Sequence, residues 1–276
     1  MLCSFVIMLN SCALFKNIFN SSENDTLRAI GNAAESIAKA TEEISPSQEY
    51  YLGRAVAANI LTKYNLAQDT STEKYLNAIC QVIVLNSKKP DIYAGYHVGI
   101  LDTQEINAFA TPGGHILISK GLLECAQSED ALAAIIAHEI AHIHLQHSVK
   151  AIKSSRSLEA LLATTKVATS SMGLSDLTNS FGGAVEEVLT TLVNSGYSQS
   201  QEFEADKTAL TLMFDAGYNP YALLDMLELL EKNTSSYSGG FGKTHPAPSK
   251  RIAEAQKNLK KQYASVDTTR RIPLGY

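Results

Sequence analysis

Ile136-Ala137-His138-Glu139-Ile140-Ala141-His142 places two imidazoles four residues apart, with a carboxylate directly after the first. On a helix such positions lie about 40° apart on one face, where both rings can reach a single metal ion. Upstream, Ser128 is placed to cap a helix whose first turn carries Glu129 and Asp130, so a helix is predicted over 129–148. Its apolar residues, among them Leu132, Ile135, Ile136, Ile140 and Ile143, occupy nearly every face, the pattern of a helix buried in a core. Two imidazoles and a carboxylate are costly to bury without a partner, and a metal supplies one.

About sixty residues downstream, Gln201-Glu202-Phe203-Glu204-Ala205-Asp206-Lys207 opens a second stretch of helical spacing that ends before Gly217. Glu202 and Asp206, at i and i+4, share a face. That geometry assigns Glu202 to the metal, and Asp206 to the free ring nitrogen of a ligand histidine, whose tautomer it would fix. Glu204 points elsewhere and reads as a solvated surface acid. His144 and His147 point to other sides of the first helix and read as structural, His147 as a cation suited to the helix C-terminus. His97 and His115, in or beside strands, read as structural too.

The H-E-x-x-H spacing is the signature of zinc peptidases, and it has company. Asn107-Ala108-Phe109-Ala110-Thr111-Pro112-Gly113-Gly114-His115-Ile116 precedes it, and EFEAD, Thr244-His245-Pro246 and Arg251-Ile252 follow. With these blocks in this order, residues 47 to 260 resemble the gluzincin metallopeptidase family that contains HtpX and the CAAX prenyl endopeptidase. Because no run of about twenty apolar residues follows the first dozen, the nearer likeness is to the soluble envelope branch typified by BepA and LoiP. The resemblance implies one zinc bound by His138, His142 and Glu202, with Glu139 as catalytic base and proteolysis as the activity. A fourth zinc position would then be open to water, whose proton Glu139 would accept and pass to the leaving amine. His245 is the candidate for a donor to the oxyanion, or for a latch that swings onto the open position. In zincins an edge strand pairs with extended substrate, and Asn107, Ala108, Phe109 and Ala110 are the segment placed to do so.

At 276 residues and 45% hydrophobic content the chain can bury a full core. A net charge of -5 without a basic block argues against nucleic acid as a partner. The expected class is α+β, a zincin-like fold, mostly helical with a small sheet beside the H-E-x-x-H helix. Helices are predicted over 26–43, 47–64 and 71–86, and strands over 93–101, 105–110 and 115–119. Residues 157–194 read as two loosely amphipathic helices covering the cleft, 233–243 as a flexible loop, and Arg251-Ile252 as the start of a final helix.

Residues 2–9 form an apolar run ending at Asn10-Ser11-Cys12, which resembles a bacterial lipoprotein signal with Cys12 as the lipidated residue. A cleaved secretory signal and an uncleaved anchor are the rival readings. All three put the domain outside the cytoplasm, on the periplasmic side of the envelope and anchored to the membrane if the signal is a lipoprotein one. The organisation expected is a leader and tether over 1–25, the metallopeptidase domain over 26–265 and a tail over 266–276. Cys80 and Cys125 could pair there or stay free and buried. The leading expectation is an envelope endopeptidase acting on misfolded or misassembled proteins. A zinc-stabilised chaperone or assembly scaffold is the alternative, and Glu139 distinguishes them, because zinc binding alone needs no base.

Overall fold

A computed structural model describes residues 44–152, 174–234, 241–245 and 248–275. The expected helix over 26–43, the leader with Cys12, and the first of the two helices expected over 157–194 lie outside the described residues.

Helix α1, Pro46–Ile60, starts where the sequence supplies every entry signal: Ser45 caps it, Gln48 closes a capping box and Pro46 fills the first turn. Helix α2, Thr70–Leu85, is capped by Asp69. Three strands follow: β1, His97–Leu101; β2, Ala108–Ala110; and β3, His115–Ser119. The sheet order is β1-β3-β2, with β3 parallel to β1 and antiparallel to β2. β1 is four residues shorter than expected because Ala94 and Gly95 both take positive φ and turn the chain. β2 is shorter as well, since Ser119 Oγ takes the Asn107 N–H and Thr103 Oγ1 takes that of Glu105.

Helix α3, Lys120–Cys125, leads into α4, Glu129–His144, capped by Ser128 as the sequence predicts. Every residue of α4 from Asp130 to Ile143 is buried. It stops at His144 instead of 148 because Gln146 enters the left-handed region at φ 53°. Helix α5, Leu174–Leu189, continues into a π-helical turn, Thr190–Ser195, and packs against α1. Helices α6, Gln199–Asp215, and α7, Tyr221–Thr234, come next. Part of the loop expected over 233–243 is therefore helical, and Phe241–Thr244 adds the short helix α8. Helix α9, Pro248–Gln262, begins three residues before Arg251.

The main core forms where α4 and α6 pack together beneath the sheet, with α2, α7 and α9 around them. A second cluster joins α1 to Phe109, Leu117, Val188 and Tyr197 on the other side of the sheet. This is the expected mostly helical architecture with a small sheet. No helix among the described residues is long and apolar enough to cross a membrane. Cys80 and Cys125 are both free, and burial pushes the Cys80 thiol up to about 12.

Candidate metal centre

Among the described residues α4 and α6 make the most extensive helix pair, and their contact carries the polar cluster. His138 and His142 project from α4, one turn apart, toward Glu202 in the first turn of α6. Their Nε2 atoms are 3.1 Å from each other, and 3.6 and 3.5 Å from the two Glu202 oxygens. His245, just past α8, brings Nδ1 to 3.0 Å from Glu202 Oε1 and 3.4 Å from His138 Nε2. Donor atoms about 2.0–2.1 Å from a tetrahedral zinc stand about 3.3 Å apart, so these separations fit one zinc-sized ion. All four donors lie within 4.8 Å of one another.

Glu139 adjoins the cluster and is nearly inaccessible, at 1% exposure. Neither of its carboxylate oxygens has a hydrogen-bond partner among the described residues, and His245 Nε2 stands 3.9 Å away. Burial lifts its pKa. An unpartnered buried carboxylate is a strong base and a costly one to keep.

Asp206 Oδ1 lies 3.0 Å from His138 Nδ1, on the side of the ring away from the cluster. Arg251 of α9 holds Asp206 in a two-pronged pair at 2.8 and 2.7 Å, and its Nη1 reaches Glu202 at 2.8 Å. Burial by itself would raise both carboxylates. Arg251 reverses this for Asp206, and His245 with Arg251 for Glu202, so both stay ionised. Burial and Arg251 also push His138 down, but Asp206 and Glu202 outweigh them and lift it to about 9. Burial keeps His142 well below the usual range for histidine.

Arg251, His147 and Tyr197 reach the centre in roles that motif reading missed. Arg251 had a signal, since it shares the buried stripe of α9 with Ala255 and Leu259, and a cation on an inward stripe needs an anion there. His147 is not the helix-end cation expected: it is fully buried, lies beyond α4, and burial lowers its pKa. Its Nδ1 sits 2.9 Å from His142 Nδ1 and its Nε2 is 3.4 Å from Glu204, so Glu204 is solvent-exposed yet in contact with a centre residue. Tyr197 stacks on His142 at 4.0 Å between centroids, a contact with no periodic signal. His144 and His115 stay outside the cluster, and so does His97.

Asn107, Ala108, Phe109 and Ala110 form the outer edge of the sheet, and all four are buried. Asn107 Oδ1 accepts from Thr244 Oγ1 at 3.1 Å, and Ser148 Oγ donates to Ala110 O at 3.3 Å. Thr244 O accepts from Tyr197 N at 3.1 Å. Gly196, at φ 71°, permits that approach, because a Cβ there would stand 2.5 Å from Lys243 O. The segment bearing His245 thus lies over the edge strand and the donor cluster together.

Two histidines one helical turn apart and a glutamate from a second helix, with a second carboxylate beside the first histidine, form the arrangement that the gluzincin resemblance implies. The chain belongs to peptidase family M48, whose family model matches residues 70–259. It is 26% identical over 243 residues to the beta-barrel assembly-enhancing protease of Escherichia coli (strain K12), an alignment covering 84% of this chain and 47% of that protein. With the mitochondrial metalloendopeptidase OMA1 of Schizosaccharomyces pombe it shares 29% identity over 204 residues, 72% of this chain and 56% of the relative. Metalloprotease LoiP of Escherichia coli (strain K12) is 31% identical over 158 residues, 56% of this chain and 60% of its own. The chain spans about half the length of these curated relatives.

Proposed function

We propose that this chain is a zinc-dependent endopeptidase with one zinc held by His138, His142 and Glu202. The observation that carries the reading is Glu139, a buried carboxylate with both oxygens unpartnered beside donors spaced for one ion. Zinc, when bound, supplies Lewis-acid chemistry: it acidifies water and offsets the negative charge that develops on the scissile carbonyl. Glu139 takes the proton of the attacking water and hands it to the leaving amine. Asp206 accepts the Nδ1 proton of His138 and so keeps Nε2 free for the metal, while Arg251 balances the charge of Asp206 and Glu202.

Substrate, taken as extended protein chain, pairs with the edge at Asn107–Ala110, which requires the His245 segment to move away. His245 is a latch in the closed arrangement, because its Nδ1 stands in a fourth donor position. The likeness to the beta-barrel assembly-enhancing protease supports a place in the bacterial envelope and substrates among misassembled envelope proteins. Cys12 would supply the membrane anchor.

The test uses the purified full chain. It should contain about one zinc, digest an unfolded protein such as casein, lose that activity to a chelator and regain it with added zinc. Bound zinc with no digestion under any condition would favour a chaperone or scaffold.

A further inference from the structure

We propose that His147 is a positioning residue for the metal centre, holding His142 in the tautomer and ring orientation that present Nε2 to the ion, with Glu204 backing it from the surface. The role rests on the proposed function, since a tautomer needs fixing only if Nε2 of His142 is given to a metal.

The backbone brings the two rings together by a specific device. Gln146 takes φ 53°, and its N–H donates to Ile143 O at 3.0 Å, while the His147 N–H donates to His142 O at 3.0 Å. This is a Schellman closure built on glutamine where glycine is the usual choice. The strained residue turns the chain back, so that the His147 ring lies 5.0 Å from that of His142 at 71°.

Proton placement then follows from the chemistry of imidazole. A neutral histidine that gives Nε2 to a metal carries its proton on Nδ1, which must donate. Among the described residues the acceptor facing His142 Nδ1 is His147 Nδ1, at 2.9 Å. His147 must then hold its own proton on Nε2, and that atom faces Glu204 Oε2 at 3.4 Å. The three acids in the first half of α6 therefore divide by position: Glu202 and Asp206 face the donor cluster and His138, while Glu204 serves His142 through His147. Tyr197, stacked at 18° on the His142 ring, restrains its plane but not its rotation within that plane. His147 supplies that second restraint.

The experiment measures zinc affinity of the full chain by competition with a chromophoric chelator, and the visible spectrum of the cobalt(II)-loaded protein. His147→Phe and His147→Leu fill the slot but cannot accept a proton bond; His147→Gln can, through its amide oxygen. Both apolar variants should bind zinc about 10- to 100-fold more weakly and change the cobalt bands. His147→Gln should stay within about fivefold of wild type, and Glu204→Gln within about threefold, since Glu204 acts one bond further out. Wild-type affinity and an unchanged cobalt spectrum in His147→Phe would overturn the proposal, as would equal losses in His147→Gln and His147→Phe, which would make packing the cause. If an apolar variant fails to fold, the glutamine result decides alone. A wild-type chain that binds no zinc would instead sink the proposed function.

Discussion

The helices that carry His138, His142 and Glu202 and the segment that carries His245 meet at the same four donor atoms, but they are secured differently. α4 is fixed along its length by apolar packing and at its start by Asp130, which accepts from Asn219 N at 2.7 Å and Ile272 N at 2.5 Å. α6 is locked to α9 through the Arg251 pairs. The Phe241–Thr244 helix, by contrast, has four residues, too few to hold a helix by itself. It is tied to its surroundings by polar bonds such as those of Thr244 to Asn107 and Tyr197. Polar bonds can be exchanged for bonds to water at little net cost, whereas separating α4 from α6 would expose a core. On the proposed reading, three donors are therefore held rigidly before any ion arrives, and the fourth is held by contacts that are cheaper to release.

The sharpest way to break this contrast is to attack the rigid half. Arg251→Met should leave Asp206 and Glu202 without their buried cation and lower the stability of the metal-free protein by about 3–5 kcal/mol. Thermal unfolding of metal-free wild type and variant would read that as a fall on the order of 10 °C. A change under two degrees would mean that α6 is not fastened through this pair.

Attacking the releasable half should have the opposite character. His245→Ala is expected to lower the metal-free melting temperature by less than Arg251→Met does and to raise casein hydrolysis several-fold, because the fourth position and the sheet edge open together. A tenfold fall would instead make His245 the donor to the oxyanion and not a latch. Thr244→Val removes one polar tie and keeps the histidine, so a smaller rise, about twofold, is expected, with zinc content unchanged.

A separate effect concerns acid. His115 and His144 are each held down to about 4, by burial first and then by the charge of His97 and Arg54 for one and of Lys89 for the other. The unfolded chain, with ordinary values near 6.5, binds protons that the folded chain refuses between those limits. Their stabilisation is complete above about pH 6.5 and is lost as pH falls toward 4, by about 2 kcal/mol each at pH 5. His115→Phe should flatten the decline of melting temperature between pH 7 and 5 relative to wild type.

The same division governs what could be read from the sequence. The rigid half was legible because periodicity records it: H-E-x-x-H four apart, Glu202 and Asp206 four apart, and Ser128 as a cap. Arg251 could have been added, as the cation on the inward stripe of α9. The rest depends on backbone turns that leave little trace. Ala94, Gly95 and Gln146 take positive φ, and only the glycine advertises it, so β1 and α4 came out shorter than expected and His147 turned inward unannounced. Tyr197 and Thr244 reach the centre through tertiary approach across Gly196, which no local pattern encodes.

The central claim is that Glu139 is the base of a zinc peptidase, and Glu139→Gln tests it most directly, because the amide keeps the shape of the side chain but cannot take the proton. Zinc content, melting temperature and casein turnover should be measured on the same preparations of wild type and variant. The account predicts unchanged zinc, an equal or higher melting temperature and a loss of turnover of at least about a hundredfold. Turnover within about tenfold of wild type, with zinc in place, would contradict it.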